Sequence, residues 1–193
     1  MREAREAWFE AQPDLDPDRL VFLDETAAAT NMARRYGRAP RGERCRIAVP
    51  QGHHKTTTVT AALRSTGLVA TALLDEATNG QRFRSYVTET LVPVLKRGNT
   101  VILDNLPAHK VAGVRQAVEA AGARLLCLPP YSPDFNPIEQ AFAKLKALPR
   151  SAAARTVPDL RATIRQAFSR FTPRECRNSL AAAGYESDSA VAT

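Results

Sequence analysis

Three acidic residues carry the chemistry this sequence can be asked to do: Asp24 in VFLDET, Asp104 in VILDN and Glu139 in FNPIEQ. Each aspartate closes an apolar run, so a buried strand would deliver a carboxylate at its end. Taken singly, either aspartate reads equally well as a turn or N-cap residue. Glu139 has a plain reading too: Asn136 can cap a helix, Pro137 suits its first position, and Glu139 falls where the acid of a capping box stands. Together the three suit another task. Cleaving or transferring a phosphodiester needs charge neutralised on the attacking and leaving oxygens, which two Mg²⁺ ions about 3.5 to 4 Å apart do when oxygen ligands hold them, with Mn²⁺ as a substitute. Asp24, Asp104 and Glu139 are therefore the candidate catalytic residues and the candidate metal ligands. No histidine or cysteine cluster competes: His53 and His54 are adjacent and cannot aim both rings at one ion as an i, i+4 pair does. Cys45, Cys127 and Cys176 are odd in number, far apart and outside any C-x-x-C pattern, and read as buried or neutral thiols.

The elements that position these acids follow from hydrophobic period. The opening stretch to about Gln12 reads as a short amphipathic helix around Trp8 and Phe9, broken by PDLDPD. Strands are expected at residues 20–23, 46–49, 57–63 and 67–74, the spacing of an antiparallel meander. From Gln81 to Lys96 apolar residues recur at helical spacing, with Pro93 bending the last turns. Residues 101–103 form a second buried strand ending in Asp104, followed by a helix over 111–121 that closes at Gly122, and by a strand over 125–128. The segment PPYSPDFNP, with four prolines in nine residues, is stiff before folding and leads into a helix from Ile138 to about Leu148. Helices over 157–171 and 173–183 complete the chain. Strands first, then alternating strands and helices, give an α/β fold, a mixed sheet flanked by helices, with catalytic groups at the carboxyl ends of strands. The expected organisation is a connector helix in 1–18, a catalytic core in 19–150, C-terminal helices in 151–185 packing on the core, and a frayed tail in 186–193.

With 193 residues and 44% hydrophobic content, the chain can bury one core of ordinary size, and a second full domain is not expected. Its formal charge of +7, mostly arginine, favours a phosphate-bearing partner over an acidic small molecule. No run reaches the roughly 18 apolar residues of a membrane span, and the first residues lack a signal-peptide core, so a cytoplasmic protein is expected, with no membrane partner.

The stretches FLDET, NMARRYGRAPRG, TTTVTAALRSTGL, VILDNLPAHK, GARLLCLPPYSPDFNPIEQAFAKLK and ECRNSLAAAGY resemble the bacterial insertion-sequence transposases related to the mariner-like superfamily. That resemblance implies an RNase H-like fold with Asp24, Asp104 and Glu139 as the metal-binding DDE triad. The 34 residues between Asp104 and Glu139 match the family interval. It further implies double-stranded DNA as partner, both transposon ends and a TA target, a homodimer, and a bacterial, nucleoid-associated setting. LLDEATNG departs from the pattern, which expects a glycine near Glu76. The helix-turn-helix that reads transposon ends is also missing ahead of Asp24, so an upstream domain made by frameshifting or as a separate chain is expected.

In a DNA enzyme the arginine run of residues 34–46, with Arg34, Arg35, Arg38, Arg41, Arg44 and Arg46 against Glu43 alone, becomes a phosphate contact rather than a merely solvated face. Tyr36 is interleaved with it. Asn105, His109 and Lys110 follow the second aspartate and either orient DNA phosphate or the attacking water, or form a polar capping loop. Lys146 shares a helix face with Glu139 and Ala143 and would meet phosphate near the metals. Tyr131 reads as a packed side chain before a base-stacking one. Two alternatives stand beside transposition: an RNase H-like nuclease without strand transfer, against which the NPIE block speaks, and a catalytically silent DNA-binding remnant or regulator, against which the intact triad speaks.

Overall fold

In the computed structural model, which describes residues 1–34, 36–50, 52–75, 79–106, 109 and 111–186, five strands make one mixed sheet. They are β1 (Leu20–Ala29), β2 (Thr56–Arg64), β3 (Gly67–Leu74), β4 (Thr100–Leu103) and β5 (Arg124–Cys127), in the order β3-β2-β1-β4-β5. β1, β2 and β3 form the expected antiparallel meander, whereas β4 and β5 lie parallel to β1. The apolar run of residues 20–23 is continuous because β1 is central and both its faces are covered. Leu20 and Phe22 join one core, with Ile138, Phe142, Leu160, Ile164 and Leu180. Val21 and Leu23 join the other, with Phe83, Leu91, Val101 and Val118.

Helices α4 (Ile138–Ala152), α5 (Val157–Phe168) and α6 (Pro173–Ala182) supply the first core, and α2 (Gly80–Tyr86) and α3 (Val114–Ala120) the second. The opening helix α1 (Arg2–Ala11) adds Trp8 to the first core and leaves Phe9 69% exposed. Asn79 caps α2 by accepting from Arg82 N–H. Beyond α2 the chain continues as a π turn, Val87–Leu91, and a 3-10 turn, Val92–Val94, because Pro93 has no N–H to extend an α-helical ladder. Gly122 closes α3 at φ +75°, where an added Cβ would stand 2.9 Å from Arg97 Cγ.

Three expectations are corrected. β1 does not stop at Asp24 but runs to Ala29, because its pairing with β2 persists from Asp24↔Ala61 to Ala29↔Thr56 with threonine and alanine in place of the apolar run. Residues 46–49 form no strand: no neighbour pairs with them, and Ile47 and Val49 are 56% and 50% exposed. α4 passes Leu148 and carries Pro149 inside it before ending at Ala153, whose φ of +50° is left-handed. The loop around Glu76 and the tail beyond Glu186 lie outside the described residues.

Candidate active site

The parallel half of the sheet ends abruptly. β4 pairs with β1 only as far as Leu23↔Leu103, and with β5 only to Leu103↔Cys127. Asp104 is the first residue past β4, and Asp24 is the first residue of β1 without a parallel neighbour. The sheet therefore has a step with an acid on each side of it. Backbone alternation puts Asp24 on the face of Leu20 and Phe22, the face that α4 covers. There the start of α4 brings Glu139 to the same open cleft of about 580 Å³, lined by Asp24, Glu25, Asp104, Asn105, Asn136 and Glu139 and by the proline-rich segment 129–133. Three elements distant in sequence thus contribute the three predicted acids to one cavity.

Asp24 is 8% exposed. Its Oδ1 accepts from Glu25 N–H at 2.7 Å and its Oδ2 from Asn136 Nδ2 at 2.8 Å. Burial, more than the negative charges of Asp104 and Glu139, pushes its pKa up to about 7. Asp104 Oδ1 accepts from Leu106 N–H at 3.2 Å and meets His109 Nδ1. The His109 ring stacks on Phe83 with centroids 4.3 Å apart. Burial lowers the pKa of His109, but the hydrogen bond and charge of Asp104, joined by Glu25 and Asp24, outweigh it and leave the pKa raised. Glu139 is exposed in the first turn of α4 and lines the cleft. The capping box is not made: no side-chain bond caps the start of α4, and Asn136 Nδ2 donates to Asp24.

The donor set is all oxygen, which suits Mg²⁺ or Mn²⁺ rather than a thiolate- or imidazole-seeking metal. Like charges crowd a buried carboxylate here, and a divalent cation would relieve that crowding. As the side chains stand, no group of three or more Asp, Glu, His or Cys among the described residues is arranged to hold an ion. Asp104 is turned to His109, so closing the three carboxylates on a metal takes a change of side-chain rotamer there.

The other predicted residues divide. Asn105 is half-buried in the cleft. His109 is 3% exposed, so the expectation that it faces DNA gives way to contact with Asp104 and Phe83. Arg38 and Arg41 are exposed on an irregular stretch, as are Arg44 and Arg46, with Tyr36 90% exposed among them. Arg34 Nη2 lies 3.4 Å from Ser151 O and Oγ. Lys146 is half-buried on α4, and Arg35 and Lys110 lie outside the described residues. Cys45 is exposed, not buried, while Cys176 is buried.

Two residues not foreseen matter here. Asn136 was hidden because an asparagine before a proline at a helix start reads as a cap, and only tertiary structure sets it against Asp24. Arg5 of α1 donates to both oxygens of Asp134 at 2.9 and 2.7 Å and to Ser132 Oγ at 2.8 Å, and its guanidinium lies 4.8 Å over the Phe135 ring. It thereby holds the loop that bears Tyr131, which is 88% exposed at φ +54° rather than packed. Left-handed backbone is uncommon for an aromatic residue and is kept only where neighbours fix it.

Residues 19–161, about three-quarters of the chain, match the family described as DDE superfamily endonuclease. No curated protein matches the chain. Among solved structures it is similar to the Mos1 strand transfer complex, at 19% identity and TM-score 0.71, covering 93% of this chain and 56% of that one. It is likewise similar to the Mos1 mariner paired end complex with Mn, at 18% and 0.70, covering 94% and 59%. The catalytic domain of Mos1 mariner transposase matches at 17% and 0.61, covering 95% and 91%. At these identities the likeness is one of fold, the expected RNase H-like one. The chain spans little more than half the length of the Mos1 chains in the two complexes and most of the isolated catalytic domain.

Proposed function

The chain belongs to the DDE superfamily endonuclease family, and from that membership we propose that it is the catalytic domain of a DNA transposase, cutting DNA and joining the cut strand to a target. The observation that carries this reading is the stepped end of the sheet, where Asp24, Asp104 and Glu139 reach one cleft from three separate elements. In the proposed mechanism these carboxylates hold Mg²⁺ or Mn²⁺, and the Mos1 mariner paired end complexes, solved with Mn and with Mg, support that choice. Two bound ions would neutralise charge on the attacking and leaving oxygens of the phosphodiester. The chain's own residues do the positioning: Asn136 and Glu25 N–H orient Asp24, and His109 with Leu106 N–H orients Asp104 until a metal competes for it.

The exposed arginines of residues 34–46 supply sequence-independent phosphate contacts to double-stranded DNA. Homodimer assembly, a TA target and an upstream end-reading helix-turn-helix belong to the same proposal and rest on the resemblance. C-terminal helices in residues 151–185 packing on a core of residues 19–150 are part of it too, supported by α5 and α6 sharing one core with α4 and the sheet, with α4 itself running to Ala152. Among the described residues no helix is long and apolar enough to cross a membrane.

The test is a product assay with the chain, alone and with an end-reading domain supplied, a duplex bearing its element's ends, and Mg²⁺ or Mn²⁺. Metal-dependent nicking and joined products are expected. Cutting without joining would mark a plain nuclease, and DNA binding without cutting would mark a silent remnant.

A further inference from the structure

We infer that Asn136 is a positioning residue that fixes Asp24 and Glu139 relative to each other and so prepares both for a divalent cation. The inference rests on the metal-dependent reading above. Asn136 is 6% exposed, and its side-chain Nδ2 donates to Asp24 Oδ2 at 2.8 Å across 112 residues of sequence. Its backbone carbonyl accepts from Glu139 N–H at 3.2 Å, which opens the first turn of α4. One residue therefore grips the central strand through its side chain and the glutamate-bearing turn through its backbone.

An asparagine at this place could cap α4 through its Oδ1, yet the side-chain bond it makes is the one from Nδ2 to Asp24. The amide satisfies a buried carboxylate oxygen that no other side chain among the described residues meets. A hydrogen bond to one oxygen of a ligating carboxylate orients the group and leaves its remaining lone pairs for an ion, as partners of metal ligands commonly do. Asn136 has no charge to neutralise Asp24 and so does not displace the cation that the cleft would attract. A lysine or arginine there would.

The test compares Asn136→Ala and Asn136→Leu with the parent chain. Leucine has nearly the shape of asparagine and no donor, so it keeps the packing and removes the hydrogen bond alone. Mn²⁺ binding is read without DNA from the loss of the free-ion signal in electron paramagnetic resonance, alongside melting temperature and, with DNA, kcat and KM. Mn²⁺ affinity is expected to fall about 10- to 100-fold in both variants, with kcat falling in parallel and KM for DNA within about twofold. Asn136→Leu should stay folded and melt only a few degrees below the parent, because Asp24 Oδ2 loses its donor. The inference is overturned if Asn136→Leu keeps Mn²⁺ affinity and kcat within about threefold of the parent. A parent that binds no Mn²⁺ would overturn this inference and the metal reading together. A parent that binds Mn²⁺ but cuts no DNA, with weakened Mn²⁺ binding in the variants, would leave the inference standing and overturn the transposase reading alone.

Discussion

The cleft and the arginine-rich stretch of residues 36–50 are both proposed to meet DNA, yet they are built in opposite ways. Around the cleft, Asp24, Asp104, Asn136 and His109 are tied to one another or to backbone, and the strands and helices beneath them are buried on both faces of the sheet. In the arginine stretch the described side chains are exposed and the backbone pairs with no strand. The contrast teaches where order is needed. Holding metal and scissile phosphate demands geometry good to a fraction of an ångström, whereas phosphate attraction acts over about 8 to 10 Å at moderate salt and tolerates a mobile partner.

Charge removal at the cleft should separate the two regions most sharply. Asp104→Asn is expected to lower Mg²⁺- or Mn²⁺-dependent nicking and joining by roughly a thousandfold or more, about 4 kcal/mol of transition-state stabilisation, with DNA affinity nearly intact. An Asn variant that cuts at the parent rate would sink the metal mechanism. Next comes packing. Phe142→Ala, beneath the cleft and 1% exposed, should cost about 3 to 5 kcal/mol in denaturant unfolding. Ile47→Ala, in the arginine stretch, should stay within about 0.5 kcal/mol. Equal losses would mean that the stretch is packed in solution.

For DNA affinity the order reverses. The chain alone should bind duplex DNA weakly, with log K falling against log salt at a slope of about −3 to −6, and replacing Arg34, Arg38 and Arg41 by Ala should flatten that slope by about 2 to 3. A preference above roughly a hundredfold for its own terminal repeat over a scrambled duplex would show that this chain reads sequence unaided.

The smallest effect concerns Glu175, which joins the capping box of α6 to Lys144 on the Glu139-bearing helix. Its bond to Lys144, with those to Thr172, holds its pKa down to about 2. Because the folded value lies below the unfolded value of about 4.3, its stabilising contribution is present above that value and is lost as pH falls from there toward 2. The stability gap between the parent and Glu175→Gln should therefore close over that window in acid titrations of unfolding. A gap that holds constant from pH 6 to 2 would contradict this.

The meeting of the three acids in one cleft was legible because each aspartate follows a run that only a buried strand explains, and because Glu139 stands in a block too particular to be a cap alone. The limits of β1 were not legible. Hydrophobic runs report burial on both faces, and past Asp24 the strand survives on backbone pairing through Glu25 and then small residues of mixed exposure. Residues 46–49 failed the opposite way, since β-branched content predicts a strand only where a neighbour exists to pair with. Asn136, His109 and Tyr131 share a third cause. Local pattern assigned them a cap, a DNA contact and a packed ring, whereas the folded chain sets Asn136 against Asp24 and His109 against Asp104 and Phe83 and leaves Tyr131 exposed.

The grip of Arg5 on Ser132, Asp134 and Phe135 sets a lower bound on the working unit. Tyr185 adds to it, donating to Phe135 O at 2.9 Å while accepting from Trp8 Nε1 at 3.1 Å. Both ends of the described chain thus buttress one rim of the cleft, although the family match covers only residues 19–161. A fragment trimmed to that match would keep the strands and the three acids but would strip α6 and much of α5 from the first core and release the rim, which would then have to be ordered afresh whenever something binds. Small molecules selected against such a fragment would be selected against a looser cleft than the one the whole chain presents.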